Sequence, residues 1–249
     1  MRIRVWLLRW LLRAMPSLAE VVAFQSSVGD VTTLAMADLL DFWNSLHGGD
    51  PGTVAGDVRG VLPDLIDAYT PLAAEVGASF YDDTRAAADV AGSFSAQHAA
   101  LPESGLVQEM ISWGVAPLFR PDAPDPGLAL SRLTGGTQKI VASGARDTVE
   151  FNVGQDPAQP RFARHASANA CAFCALLATR GAVYHWEDTA GAKYHDHCHC
   201  VAVPVFPGTA YEPAPYVKDW ESAYTAARAD VGGKTKDILA HMRQTLSAK

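Results

Sequence analysis

Apolar side chains recur at helical rather than alternating spacing through the first half of the chain, and four helices follow from that pattern. Val22, Leu34, Leu39, Phe42, Trp43 and Leu46 predict a helix over Ala19–Leu46. The run His47-Gly-Gly-Asp50-Pro51-Gly52 stops it, as a Gly/Pro/Asp cluster should. Leu62, Leu65, Ile66, Tyr69, Leu72, Val76 and Phe80 form one stripe of a second helix, continuing through the alanine-rich 86–91 to about His98. Pro63 suits its first turn, whereas Pro71 sits inside and predicts a kink or a break. Pro102-Glu103 opens a shorter helix carrying Val107, Met110, Ile111, Trp113 and Leu118. Residues 120–127, Arg-Pro-Asp-Ala-Pro-Asp-Pro-Gly, are the strongest linker signal. Helical spacing then returns over Leu128–Phe151 through Leu130, Leu133, Ile140, Val141 and Val149, weakened in the middle by Gly135 and Gly136.

From Gln155 the character changes to short stretches, turn residues and histidines. Val201–Phe206 reads as a short strand, with Pro204 suggesting an edge position. A last helical pair is expected around Val217–Ala229 and Thr235–Leu246, separated by Gly232-Gly233. The expected fold is mostly α: a helical body, a small irregular α/β metal-binding module and a C-terminal helical tail. The corresponding segments are a basic amphipathic start at 1–18, a body at 19–153, a module at 154–210 and a tail at 211–249.

Composition narrows this picture. The 249 residues are 49% hydrophobic and 19% charged, enough to bury a core, and the formal net charge of -7 argues against broad non-specific binding to nucleic acid. The one clear basic patch is at the start, MRIRVWLLRWLLRAMPS. Arg9 interrupts its apolar core, no small-x-small cleavage site precedes Pro16, and it is far short of the ~20 apolar residues of a membrane span. Two readings stand for it: an amphipathic helix that docks on a partner or a membrane surface, or a poorly ordered or wrongly assigned start. A cytoplasmic protein is expected.

The cysteines carry the most chemistry. All four lie between 171 and 200, as Cys171-Ala-Phe-Cys174 and Cys198-His199-Cys200, with His195 three residues ahead of the second pair. A C-x-x-C turn aims two thiolates at one point, and an i, i+2 pair shares a face of an extended segment. Four sulfur or nitrogen ligands make a closed zinc site, which would fold the 161–206 module rather than catalyse. The candidate sets are Cys171, Cys174, Cys198 and Cys200, preferred on ligand softness, or three of these with His195. A redox C-x-x-C usually opens a helix in a thioredoxin-like βαβ unit, a pattern absent from the sequence, and a disulfide framework needs an oxidising compartment. His197 and His199 are expected to face solvent or to support the ligands.

The same residues resemble a known family. Cys171-Ala-Phe-Cys174 through Arg180-Gly181-Ala-Val-Tyr184, then Tyr194-His195-Asp-His-Cys198-His-Cys200 and Val203-Pro204-Val205-Phe206, look like the C-terminal motif of MuF-like phage minor head proteins. Gly144-Ala-Arg146-Asp147-Thr148-Val149, and Trp220 to Tyr224 through His241-Met242-Arg243, look like its actinobacteriophage branch. The resemblance is clearest from about Leu133 to Leu246. It implies a structural protein of head morphogenesis, assembled in few copies into the procapsid near the portal, in contact with portal or major capsid protein. It also implies residence in the host cytoplasm during assembly and then in the virion, and some relatives are linked to DNA packaging or ejection. The family motif would carry Cys171, Cys174, His195, Cys198 and Cys200; the chain departs from it at His199, where many members have a basic Arg. Some relatives carry a fused maturation protease or toxin domain, for which the body and module leave no room.

Two rival functions rest on other residues. A zinc hydrolase or nuclease would use Glu187, Asp188 or Asp196 beside the cluster, but excess thiolates lower the Lewis acidity of zinc and close its shell. No G-x-S-x-G elbow supports a serine protease. A nucleic-acid-binding zinc module would rely on Arg161, Arg164, Arg180 and Lys193 with the basic start, a modest set for packaged DNA. Arg180-Gly181 reads as a turn with Arg180 on the surface, and Trp113, Trp186 and Trp220 as core or interface residues.

Overall fold

The computed structural model describes residues 15–46, 48–185 and 194–247. The predicted N-terminal amphipathic segment lies outside these residues over 1–14, as do Trp186, Glu187, Asp188 and Lys193. The chain is mostly α, with helices α1 (Leu18–Ser45), α2 (Pro51–Ala87), α3 (Ser104–Val115) running into a 3-10 turn at Ala116–Phe119, α4 (Pro126–Gln155), α5 (Ala172–Ala178), α6 (Val217–Val231) and α7 (Thr235–Ser247). Strands β1 (Arg161–His165) and β2 (Val201–Val205) complete the described elements. Among the described residues no helix is long and apolar enough to cross a membrane.

Helix starts are set by short polar side chains that satisfy the first free N–H groups. Ser17 and Glu20 form a capping box at α1, Glu20 accepting from the Ser17 N–H at 2.6 Å. Asp-Pro does the same work twice. Asp50 accepts from Gly52 and Thr53 at 2.9 and 3.2 Å with Pro51 opening α2, and Asp125 accepts from Leu128 at 2.8 Å with Pro126 opening α4. The two Pro/Asp/Gly clusters that read as breaks therefore also start helices.

Helix α2 corrects the expectation at both ends. It begins at Pro51, so Pro63 lies inside it rather than in its first turn, and it runs unbroken through Pro71. Each proline removes one ladder bond, but tertiary contact outweighs that local cost. Near Pro71 the helix meets α4 backbone to backbone: a Cβ on Gly144 would stand 2.3 Å from the Thr70 carbonyl oxygen, and one on Gly77 would stand 2.5 Å from that of Ala145. The helix ends at Ala87, short of His98, because buried side chains of α4 offer the following segment better partners. Asn152 exchanges two bonds with Gln97, at 2.9 and 2.7 Å, and the Thr148 hydroxyl accepts from the Ala99 N–H at 3.1 Å. On α1 the core face is Val21, Phe24, Val28, Ala35 and Leu39, whereas the expected Val22 and Leu34 are exposed, as is Leu72 on α2. Trp220 is buried and Trp113 exposed under the Arg132 guanidinium.

The small sheet packs on this bundle. β1 and β2 pair antiparallel, with Phe162 opposite Pro204. Phe162 spends its own N–H and C=O on Tyr184, at 2.8 and 3.3 Å, so it faces Pro204 across a pair with no ladder bond. That register is why a proline is tolerated there, at the outer edge of β2 as the sequence suggests. Phe162, Leu177, Val201 and Phe206 join Phe24, Tyr81, Val141 and Val149 in one continuous hydrophobic cluster. A second cluster gathers α5, the cysteines, α6 and α7.

The α2–α4 crossing has no room for a methyl group. Gly144→Ala is expected to lower unfolding free energy by about 1–3 kcal/mol in chemical denaturation. Gly56→Ala, exposed on the same bundle with nothing within 4 Å of its added Cβ, is expected to raise it by about 0.5–1 kcal/mol.

Candidate metal centre

Two limbs of chain bring the cysteines together. The first leaves β1 through a turn at Ser167–Ala170 and enters α5, whose N-cap is Cys171; its Sγ accepts from the Cys174 N–H at 3.5 Å. The C-x-x-C pair thus opens a helix, as a redox pair also would. The strands around it are antiparallel, so the thioredoxin arrangement remains absent among the described residues. The second limb, Tyr194–Cys200, turns at His197, whose φ of 59° lies in the left-handed region, and runs directly into β2.

Five donor atoms meet where the limbs touch, in two groups sharing Cys174: Cys171, Cys174 and His195, and Cys174, Cys198 and Cys200. His195 Nε2 lies 3.0 Å from the Cys171 Sγ and 3.6 Å from that of Cys174, which is 3.6 Å from the Cys198 Sγ. A tetrahedron with metal–sulfur bonds of about 2.3 Å has sulfur–sulfur edges of about 3.8 Å, so the spacing fits a single ion. The His195 Nδ1 is 2.6 Å from the Asp196 carbonyl oxygen, a contact that requires the proton on Nδ1 and leaves the Nε2 lone pair facing the sulfurs. Cys174, Cys198 and Cys200 are buried, Cys171 and His195 are exposed, and all five line a cavity of about 240 Å³.

Without an ion the sulfurs compete for protons. A hydrogen bond from Cys174 holds the Cys171 thiol down at about 5, against the opposing effect of burial. Hydrogen bonds from Cys174 and Cys200 hold Cys198 far below the ordinary thiol range, helped by the Arg146 charge. Cys174, which supplies those bonds, is pushed well up. Crowded thiolates cannot all ionise against one another, and a divalent cation replaces the shared protons. The cluster can hold a metal ion.

Behind it stands a buried network the sequence reading missed. Arg146 of α4, 1% exposed, donates through Nε to the Cys200 carbonyl at 2.8 Å and through Nη2 to that of Cys198. Arg164 of β1, equally buried, places Nη1 3.8 Å from the Cys174 Sγ. Both guanidinium carbons lie over the Tyr194 ring, 4.2 and 3.9 Å from its centroid, and the Tyr194 hydroxyl donates to Glu150 at 2.8 Å. Burial, with the Asp147 charge, pushes the Glu150 carboxyl up to about 8. The available signal was Arg146 and Glu150 at i, i+4 among apolar residues of α4, a charged pair where a solvated face was not due. Burial also withdraws Arg164 from the surface set weighed for DNA.

Helix α4 seats the second limb. A Cβ on Gly135 would lie 2.7 Å from the His197 Nε2, and one on Gly136 would lie 2.5 Å from Met110, so these glycines serve close approach within an unbroken helix. Lys139 pairs with Asp196 at 3.7 Å, and Gln138 reaches the exposed His199 ring at 3.4 Å. Asp196 is thus engaged with α4, and the other two carboxylates weighed for hydrolysis, Glu187 and Asp188, lie outside the described residues.

The family described as VG15 protein matches residues 15–227. No curated protein and no solved structure matches the chain.

Arg146→Leu would leave two buried carbonyls beside the cysteines without donors, and is expected to lower metal affinity ten- to a hundredfold in chelator competition. Glu150 binds its proton more tightly folded, at about 8, than unfolded, near the ordinary carboxyl value of 4.5. Its contribution to stability is therefore complete below about 4.5 and is lost as pH rises through 8. Glu150→Gln is expected to flatten the fall of unfolding free energy across that window, measured by denaturation at several pH values.

Proposed function

The chain belongs to the VG15 protein family, a family of viral and phage gene products, and on that premise we propose that it is a structural, non-catalytic component of head morphogenesis, of the MuF-like minor capsid kind. It acts during procapsid assembly in the host cytoplasm, against the portal or the major capsid protein, and is retained in the virion. Zinc, one ion per chain, fixes its module.

One observation carries the structural reading of the metal. The five donors are sulfur and nitrogen, and the carbonyls of Cys198 and Cys200 are held by a helix of the body. A metal there ties two chain limbs to each other and to α4, which is what a folding clip does. Sulfur-rich coordination suits zinc and makes it a poor Lewis acid for hydrolysis. Among its described residues the surrounding module has two five-residue strands and a seven-residue helix, too little regular structure to stand without such a clip or the bundle beneath it.

Two measurements test this. The purified chain is expected to contain one zinc, and Cys174→Ser to lose both the ion and cooperative unfolding of the module; a metal-free, fully stable wild type overturns the zinc assignment. Expressed with its phage's portal and major capsid proteins, the chain is expected to sediment with procapsids. Recovery of particles entirely free of it overturns the assembly role.

A further inference from the structure

Most described arginines have work inside the molecule. Arg85 pairs with Asp156 at 2.9 Å, Arg120 with Asp125 at 3.9 Å, Arg132 donates to the Trp113 carbonyl, and Arg146 and Arg164 are buried beside the cysteines. Arg161 and Arg180, like Arg228 and Arg243, do no such work, but these two share one cleft. Both are exposed, and among the described residues neither side chain makes a hydrogen bond or an ion pair. Both line the same cleft, of about 620 Å³, on the module.

The cleft is built where four elements end. The turn after α5 supplies Thr179, Arg180 and Gly181, the start of β1 supplies Arg161, the turn after β2 supplies Gly208 and Thr209, and α6 supplies Glu221. Gln159, Gly181 and Gly208 all hold positive φ, at 52°, 64° and 85°, so tight turns rather than flexible side chains shape its walls. Tyr211 adds a partly buried aromatic ring. Glu221 lies in the same cleft yet neutralises neither guanidinium.

We propose that this cleft binds a phosphate group carried by a nucleotide or a nucleic-acid strand, held by Arg161 and Arg180 with Tyr211 as the platform for a base. Guanidinium forks match phosphate oxygens bidentately, and an aromatic ring beside them suits an unstacked base. Thr179 and Thr209 supply hydroxyl groups, and Glu221 can accept from a sugar hydroxyl or a base amine. With a formal net charge of -7 the protein as a whole repels phosphate, so attraction must be local to such a cleft. The site is separate from the metal centre and does not rest on the assembly role.

The test uses the full metal-loaded chain at about 50 mM salt, titrated in turn with inorganic phosphate, adenosine monophosphate, and a labelled single-stranded oligonucleotide. Saturable binding of nucleotide or oligonucleotide is expected, with Arg161→Gln/Arg180→Gln weakening it at least about tenfold and lowering the salt slope by roughly two contacts. Zinc content and circular dichroism confirm the fold of the variant; should the pair perturb β1, Arg180→Gln alone, in an exposed turn, is read the same way. Binding of monophosphate as tight as that of the oligonucleotide identifies a nucleotide site, and much tighter oligonucleotide binding a strand site. The proposal is overturned if wild type binds none of the three. It is equally overturned if the variant binds like wild type, or if the same charge change at the exposed Arg228 and Lys236 weakens binding as much.

Discussion

The guanidinium of Arg146 joins the two halves of this architecture. It projects from the middle of α4, the helix against which α1, α2 and α3 all pack, and holds the carbonyls of Cys198 and Cys200. A buried cation is costly unless paired, and here it meets two carbonyl dipoles and the face of Tyr194, beside sulfurs that carry negative charge once ionised. The arrangement is mutual. Holding the carbonyls of Cys198 and Cys200 fixes the backbone from which their side chains reach Cys174. Arg164 packs on the same ring from β1 and reaches the Cys174 sulfur. The candidate metal centre is therefore built from the body outward as much as from its own donor residues inward.

That role explains why α4 is so closely hemmed in. Arg146 sits two residues after Gly144, where α2 approaches to backbone contact, and eleven after Gly135, where the His195–Cys200 limb comes down. Small residues on opposite sides of one helix let a second helix and a loop reach it without a larger gap being filled by side chains. The cost in helix propensity is offset by the packing: Leu133, Val141, Ala145 and Val149 along the same helix are fully buried. A similar trade keeps Pro63 and Pro71 inside α2. Tertiary contact, not intrinsic preference, decides both helices.

What could be read from the sequence follows from this division. Helices were legible where apolar spacing was regular, and the cysteines were legible because metal chemistry constrains residue type and spacing together. Features that depend on a partner distant in sequence were not. The end of α2 is set by Asn152 and Thr148, far along the chain, so the alanine run could not reveal it. β1 was missed because Arg-Phe-Ala-Arg-His shows no alternation; both its faces are covered, one end by the body and the other by Tyr194. The choice of Val22 over Val21 failed because two adjacent valines satisfy the helical pattern equally, and only the neighbouring helix distinguishes them.

The buried charges carry a further consequence for folding. Glu150, Tyr194, Arg146 and Arg164 come from α4, β1 and the limb before the second cysteine pair, so their network forms only when all three are in place. The thiols reach tetrahedral spacing under the same condition, because the limb that carries His195, Cys198 and Cys200 is the limb that carries Tyr194. An ion bound at the cysteines thus stabilises the docked arrangement of module and body, whatever it contributes to the module alone. The limb that carries Cys198 and Cys200 is anchored on α4, and an ion held by the cysteines would be coupled through Arg146 to packing in the core.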